Sequence, residues 1–193
     1  MSGVGPSTIK RHLAPPPLDL VEAFINTADL ESGSDGLATA SALHGWLLDH
    51  QLIKRGEVVT ARDRHQAIRL REALRRAALA NNSGGVDGRT VRELNRLARD
   101  TQIVVAFGDD GVARLDPAVT GVEAGLARIL TTAFVAMLTG SWRRLKSCAN
   151  GACQWAFYDA SKNRSGRWCD MADCGNDAKG RAYRTRHHSA GKG

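Results

Sequence analysis

The sequence predicts a mainly helical α+β fold with one β-hairpin, followed by a small C-terminal module of a different kind. Apolar residues recur at helical spacing through most of residues 18–140, and only one stretch there is rich in β-branched residues. All four cysteines of the 193-residue chain lie in residues 141–188. The polar, proline-rich segment 1–17 and the tail 189–193 are expected to be disordered.

Helical spacing predicts five helices in residues 18–140. They cover 18–30, 36–49, the segment from Thr60 to about Ala80, a short stretch after Gly88, and the segment from Thr120 to Leu138. Thr60 with Asp63 and Thr120 with Glu123 have the spacing of capping boxes. The last helix is the most apolar, so we expect it at the centre of the core.

Three arginines of the third helix, Arg64, Arg71 and Arg75, lie off its apolar row of alanines and leucines. We therefore expect them on the solvated helix surface. Between the fourth and fifth helices, residues 102–107 and 112–115 flank the turn Gly108-Asp109-Asp110-Gly111. This pattern predicts a β-hairpin near 102–116.

The four cysteines, Cys148, Cys153, Cys169 and Cys174, form two Cys-x4-Cys pairs separated by fifteen residues. Four thiolates in two close pairs can surround one Zn²⁺ tetrahedrally, and such a closed sphere is typical of a structural ion. Disulfides, an iron–sulfur centre and redox-active thiols are the alternatives. No secretory signal is predicted in residues 1–17, and the longest apolar stretch, 129–138, is too short to span a bilayer. A metal site is therefore favoured over disulfides.

The residues around the cysteines predict a treble-clef-like zinc finger. Asn150-Gly151 is expected to form a tight turn with positive φ between the first two ligands. Residues 154–159 read as a strand that returns through Arg167-Trp168 to make a hairpin, and a helix carries the second pair. Trp155, Phe157 and Trp168 are expected to pack beside the metal. About fifty residues are too few for a self-sufficient core, which is an independent reason for a metal.

Charge separates the two parts of the chain. Residues 1–140 hold 16 basic and 16 acidic residues, whereas residues 141–193 hold 11 basic and 4 acidic ones. Four thiolates and one dication leave the second part still positive, which favours nucleic acid as a partner. The residues predicted to bind it are Lys162, Arg164, Arg167, Lys179, Arg181, Arg184 and Arg186.

Motifs of catalysis do not appear in the sequence. Gly-rich phosphate loops, the Gly-x-Ser-x-Gly elbow, His-Glu-x-x-His and the zinc deaminase pattern are all missing. The chain is therefore predicted not to be an enzyme. A zinc-scaffolded protein-interaction module and an RNA-binding protein remain the alternatives to a DNA-binding protein.

Residues 144–186 resemble the CGNR-type zinc finger. The resemblance is carried by Cys148-x4-Cys153, Arg167-Trp168-Cys169-x-Met171, Cys174-Gly175-Asn176, Lys179 and Arg181. The preceding part resembles the ABATE domain that accompanies this finger, in Phe24-Ile25-Asn26-Thr27, the Leu-Arg-Glu-Ala-Leu-Arg stretch at 70–75, and the hairpin before the last long helix. One position departs, because Asp177 stands where the family motif has arginine.

The resemblance implies a bacterial, stress-linked transcription regulator. Its finger would bind DNA, and its helical domain would serve sensing or dimerisation. The expected partners are DNA, a small-molecule effector and a second copy of the chain, and no membrane is expected. The expected location is the cytoplasm, on the nucleoid. If the family's arginine touches DNA, Asp177 should weaken DNA binding; if it makes an internal salt bridge, the change should matter little.

Overall fold

The computed structural model describes residues 13–82 and 84–180 and shows five α-helices between residues 18 and 138, further helical residues over 171–180, and three short antiparallel strand pairs. The helices are α1 (Leu18–Ile25), α2 (Ala40–Asp49), α3 (Ala61–Ala80), α4 (Gly88–Asp100) and α5 (Gly121–Leu138). The pairs are β1 (Ala28–Asp29) with β2 (Ser34–Asp35), β3 (Ile103–Phe107) with β4 (Ala113–Pro117), and β5 (Leu145–Ser147) with β6 (Ala156–Tyr158). The predicted fold class is confirmed.

The core lies where α1, α3 and α5 pack together. Phe24, Leu74 and Ile129, one from each helix, are fully buried there. The capping box at Thr60 and Asp63 forms as predicted. The one predicted at Thr120 is wrong, because its side chain makes no capping hydrogen bond. The next residue, Gly121, has a φ of +62°, so the first turn of α5 departs from regular helical geometry.

α5 is the one helix, among the residues that the structure describes, whose length and composition alone would allow it to cross a membrane. Half of its 18-residue span is buried inside the structure. The central helix of a water-soluble core has the same length and composition, and the packing of α5 against α1 and α3 matches that role.

Two of the three α3 arginines contradict the prediction of a solvated surface. The exposed fractions of Arg71 and Arg75 are 4% and 1%. Arg71 forms an ion pair with Asp35, with a nitrogen–oxygen distance of 2.6 Å, and its hydrogen bond lowers the pKa of that carboxyl. Arg64 is half-buried and donates to the carbonyl of Leu37. The helical spacing is correct, but loops from elsewhere in the chain cover this side of α3.

Arg75 links three separate segments. Its Nη2 donates to the carbonyls of Ile25 at 2.6 Å and Ala28 at 3.1 Å, and its Nη1 donates to the carbonyl of Gln154 at 3.0 Å. Its Nε donates to the Glu72 carboxylate at 3.2 Å. Burial lowers the pKa of Arg75, but an arginine so bonded stays charged at neutral pH. The Arg75 side chain therefore joins α1, β1 and the cysteine-containing segment, which begins at residue 141, to α3.

The cysteine-containing segment is hydrogen-bonded directly to the helical part. The Asn26 amide donates to the carbonyl of Ala156 at 2.9 Å and accepts from its N–H at 2.7 Å. Asn81 donates to the carbonyl of Leu145 at 2.7 Å, and the Ser147 hydroxyl donates to a carbonyl of α3 at 3.1 Å. β5 consequently lies along α3, and the two parts of the chain share one framework.

The segment 1–17, predicted to be disordered, is not uniform. The side chain of Ala14 is buried, and its N–H donates to the carboxylate of Glu22 at 2.6 Å. Burial raises the pKa of that carboxyl. Residues 1–12 and 189–193 lie outside the described residues.

Candidate metal centre

All four cysteine sulfurs meet at one point. They lie within 4.8 Å of one another, and none is in a disulfide. The sulfurs of Cys153 and Cys169 are 3.6 Å apart, and those of Cys169 and Cys174 are 3.9 Å apart. Tetrahedral zinc with sulfur at 2.3 Å requires sulfur–sulfur distances of roughly 3.8 Å. A disulfide would need about 2 Å. The cluster therefore has the dimensions of a zinc tetrathiolate.

The first two ligands sit on a tight knuckle that follows β5. The N–H of Cys148 donates to the carbonyl of Trp155, and the N–H of Cys153 donates to the carbonyl of Asn150. The prediction of positive φ at Asn150-Gly151 is wrong: Gln154, after the second ligand, has a φ of +47° instead. The left-handed residue of this loop therefore lies after the second ligand, at the point where the chain enters β6.

The second two ligands are held by a capped turn. The Asp170 carboxylate accepts from the N–H groups of Ala172 and Asp173 and starts the π-helical turn Met171–Gly175, which continues as a helix over 176–180. The amide of Asn176 donates to the carbonyl of Ala172 at 2.8 Å. A Cβ at Gly175 would lie 2.6 Å from the Met171 sulfur, so a larger residue there would require the exposed Met171 side chain to move.

The predicted hairpin between the two ligand pairs is wrong in its pairing. β6 pairs with β5, which precedes the first cysteine, in the register Leu145 to Tyr158. The segment before the second pair instead makes one backbone bond, from the N–H of Ala149 to the carbonyl of Arg167. Trp155 and Trp168 pack against the cysteines as predicted, whereas Phe157 is buried in β6 outside that cluster. β5 is the strand that pairs with β6 because β5 is itself anchored on α3.

The protonation of the four sulfurs reflects their crowding. The pKa of Cys148 falls to about 2, because the thiols of Cys153 and Cys169 donate to its sulfur and backbone N–H groups add to this. The pKa of Cys153 rises to about 12, because its proton is held by Cys148. The pKa values of Cys169 and Cys174 are also raised, the former by its bonds to the other sulfurs and the latter by burial. Only a cation at the centre can hold all four as thiolates.

Zn²⁺ matches this site in charge, ligand type and size, and the predicted cofactor, one structural zinc ion, is confirmed as fitting these four cysteines. The amide of buried Asn150 lies 3.6 Å from the Cys174 sulfur, where it donates a hydrogen bond to a ligand. A closed tetrathiolate leaves no position for water, so the ion supplies rigidity rather than chemistry.

Comparison with known protein families gives two matches in chain order. Residues 17–141 match the ABATE family, which is described as "Putative stress-induced transcription regulator". The chain belongs to the ABATE family. Residues 144–187 match the CGNR zinc finger. Neither description of the ABATE chain's two families names an enzymatic activity. A search of curated proteins found no match.

Asp177, where the CGNR motif has arginine, is exposed and lines a small acidic depression. Glu31, Asp170 and Asp173 line the same depression, beside three of the cysteines. Four carboxylates and a zinc tetrathiolate of charge −2 make this side strongly negative. An arginine at 177 would stand among acids, whereas Asp177 adds to their repulsion.

The predicted nucleic-acid-binding residues divide into two groups. Lys162, Arg164, Arg167 and Lys179 are exposed, and within residues 13–82 and 84–180 none of the four forms an ion pair. The Arg167 guanidinium lies over the ring of Trp168, 5.8 Å from its centroid. Arg181, Arg184 and Arg186 lie outside the described residues. The predicted binding set as a whole stays a prediction.

Sequence reasoning missed the buried ion pair of Lys146 and Asp159. The Lys146 ammonium donates to the Asp159 carboxylate at 2.9 Å and to the carbonyls of Arg164 at 2.6 Å and Gly166 at 2.8 Å. Both side chains are 3% exposed. The sequence shows only a lysine before the first cysteine and an aspartate after a strand, and nothing in that pattern predicts their burial together.

The Asp159 carboxyl predicts a stability difference that depends on pH. Its pKa is lowered to about 2: burial opposes this, but bonds from Lys146 and Ser161 outweigh it. A depressed carboxyl pKa stabilises the fold above the unfolded value of about 3.9, and the contribution disappears as pH falls through the folded pKa. We expect the Asp159→Asn variant to be about 2 kcal/mol less stable than the parent at pH 7, by urea unfolding.

That difference should shrink between pH 4 and pH 2, where Asp159 takes up its proton in the parent protein. The comparison is restricted to pH values at which both proteins retain zinc by metal content, because zinc release would unfold the segment that holds Asp159. Asp116→Asn, on exposed β4, is the matched control and should change stability by less than about 0.5 kcal/mol. A difference that does not change with pH would contradict the prediction.

Proposed function

We propose that this protein is a non-enzymatic, zinc-dependent transcription regulator whose CGNR module binds duplex DNA. Membership of the ABATE family and the zinc site support the regulatory role. The observation that carries the DNA-binding step is the loop 159–167: its backbone is anchored by two cations of the adjoining segment, while its own cations point to solvent.

The anchoring uses Arg144 and Lys146. Arg144 donates to the carbonyls of Asp159 and Ser161, both at 2.9 Å, and Lys146 holds the carbonyls of Arg164 and Gly166. These two residues are therefore engaged internally. The loop conformation is set before any partner arrives, so less conformational entropy is lost on binding.

The exposed cations of the loop are suited to phosphate contacts. Lys162, Arg164 and Arg167 have no carboxylate partner in the described part of the chain, so no internal ion pair must break when they meet DNA. Phosphate contacts fix position, and base contacts set sequence preference. The acidic depression near Asp177 repels phosphate, which favours approach of DNA from the loop side.

The protein-interaction alternative has one specific observation in its favour. Asn26, Asn81 and Arg75 bind the cysteine-containing segment tightly to the helices, so the finger also acts as part of the scaffold. In a pure interaction module, however, we would expect the basic side chains to be paired with acids of the helical part. The described ones are not.

The test is a titration of a labelled DNA duplex with the full zinc-loaded chain over a salt series. With about five phosphates neutralised, the logarithm of the affinity should fall with the logarithm of salt at a slope near −4 to −5. A triple variant with glutamine at Lys162, Arg164 and Arg167 should make this slope shallower by about 3 units.

A triple variant of α4, with glutamine at Arg89, Arg92 and Arg96, is the matched control. It removes the same charge from exposed positions of the helical part and should leave the slope unchanged. A flat salt response, or loss of binding in the α4 variant alone, would overturn the proposal. A structured RNA that displaces the duplex at equal phosphate concentration would favour the RNA-binding alternative.

Substitution of Asp177 is predicted to strengthen DNA binding, in contrast to the loop substitutions. The Asp177→Arg variant should bind the duplex several-fold more tightly at low salt, because it removes one negative charge from the acidic depression and adds a positive one. Salt titration of the variant and its parent measures this. Asp109→Arg, in the exposed turn between β3 and β4, is the control for general charge. Equal gains in both variants would show that position 177 has no particular role.

We further propose that the protein acts in the cytoplasm on the nucleoid and that the helical part serves sensing or dimerisation. A fluorescent fusion that fails to colocalise with the nucleoid would contradict the first point. Sedimentation of the purified chain tests the second.

A further inference from the structure

A large apolar cavity lies between α4 and α5, and DNA binding by the finger does not use it. Its volume is about 770 Å³. Pockets that hold drug-sized molecules measure about 300–1,000 Å³. The hairpin of β3 and β4 contributes Ile103 and Leu115 to its lining, and Trp142, in the 3-10 turn Ser141–Arg144 that leads into β5, also lines it.

The apolar face of α4 is divided between the core, which Leu97 joins, and this cavity. Val91, Leu94 and Ala98 recur at helical spacing and line the cavity, whereas only Thr90 and Leu97 of the helix are buried. The opposite side of the helix carries four exposed arginines, Arg89, Arg92, Arg96 and Arg99. α4 is therefore an amphipathic helix whose apolar row has space in front of it.

α5 presents a second apolar row across the same space. Phe134 and Met137 line the cavity and keep exposed fractions of 45% and 41%, while Ala133 beneath them is fully buried. Apolar surface left facing water weakens a fold. Two such rows facing each other over a concave space, with small alanines at its base, are suited to an inserted apolar molecule.

The cavity has one cation at its edge. Arg143 lines it, is exposed, and has no hydrogen-bond or ion-pair partner among the residues that the structure describes. Its neighbour Arg144 is engaged with loop carbonyls, and the amide of Asn81, also in the lining, donates to the carbonyls of Trp142 and Leu145. Arg143 is thus free to meet an anionic group.

We propose that this cavity binds an amphipathic organic anion, with an apolar body between α4 and α5 and a carboxylate or similar group at Arg143. Concavity favours a small molecule over a second copy of the chain, since a flat protein face would leave the base at Ala133 uncovered. The ligand site can be tested in the absence of DNA, so the test does not depend on the proposed DNA binding.

The test uses decanoate and its neutral counterpart decanol as probes, titrated calorimetrically into the full zinc-loaded chain below their aggregation limits. Decanoate should bind once per chain, about tenfold more tightly than decanol. In the Arg143→Gln variant this preference should disappear, while decanol affinity stays the same. Hydrogen exchange should slow in α4 and in residues 141–145 when decanoate binds.

The second part of the experiment uses variants in which a bulky side chain fills the cavity. Ala98→Trp places a large ring in the cavity from the exposed side of α4 and should abolish decanoate binding. Val135→Trp adds the same ring to α5 at an exposed position that does not line the cavity, and should leave binding unchanged. Circular dichroism and zinc content verify folding, and Val91→Trp replaces Ala98→Trp if that variant does not fold.

Three results would overturn the proposal: no decanoate binding by the parent chain, equal binding by the Ala98→Trp and parent proteins, or a dimer by sedimentation in which decanoate finds no site. None of these outcomes bears on the salt dependence of DNA binding, so failure of the ligand site and failure of the proposed function are distinguishable.

Discussion

Replacing Cys169 by serine is expected to abolish zinc retention and to unfold the cysteine-containing segment. Apparent binding of structural zinc contributes roughly 10–16 kcal/mol in small zinc modules, and it requires all four thiolates. We expect the zinc content of protein purified without added metal to fall from one per chain to near zero. The signals of Trp155 and Trp168, which pack against the cysteines, should change with it in near-ultraviolet circular dichroism.

The loss should also spread into the helical part. Asn26, Arg75 and Asn81 have partners in the cysteine-containing segment, so its unfolding leaves these polar groups unpaired. Parent protein should melt in one transition, and chelation should lower that transition as the variant does. Ala152→Ser, an exposed substitution within the same knuckle, is the control and should keep both zinc and melting temperature.

A Cys169→Ser protein that retains full zinc and melts at the parent temperature would contradict the four-thiolate site. So would a chelator that strips zinc without changing either the near-ultraviolet signal or the melting transition, because the metal would then contribute nothing to the fold.

Replacing Arg75 by methionine should destabilise the protein by about 3–5 kcal/mol. The change leaves the carbonyls of Ile25, Ala28 and Gln154 without the donor that they share, inside a site where the arginine is 1% exposed. It also removes one of the two arginine partners of the Glu72 carboxylate, which keeps its ion pair with Arg71. Urea unfolding of the zinc-loaded protein measures the loss.

The same variant should release zinc faster. The carbonyl of Gln154 directly follows Cys153, so its bond to Arg75 holds the knuckle against α3. Transfer of zinc to a coloured chelator measures the rate. Arg62→Met, which removes an exposed arginine near the start of α3, is the matched control and should change stability by less than about 0.5 kcal/mol. Equal effects of both substitutions would contradict the linking role of Arg75.

The sequence alone predicted the elements whose signals are local. The capping box at Thr60, the apolar rows of α3 and α5, and the turn between β3 and β4 each occupy a short window, and each occurs in the structure. The hairpin between the ligand pairs failed because strand pairing is not local: β6 found its partner in β5, on the other side of the knuckle.

The candidate metal site was readable because its chemistry is carried by residue identity. Four cysteines in two matched pairs can do few things together, whatever the path of the chain between them. The predicted phosphate contacts lack this advantage. Lysine and arginine occur on most surfaces, so their identity alone does not indicate a binding role. Only the structure shows that Arg144 and Lys146 are used internally to anchor the loop, whereas the other described cations of this module are exposed.

By itself the sequence determined the zinc ligands, the helical part and the uneven charge, because periodicity and residue chemistry are fixed before the chain folds. Only the tertiary structure decided that Arg75 is internal, since its acceptors lie 50, 47 and 79 residues away. It likewise decided that the apolar row of α4 faces a cavity. A helical pattern specifies which residues share a face, but what covers that face depends on segments distant in the chain.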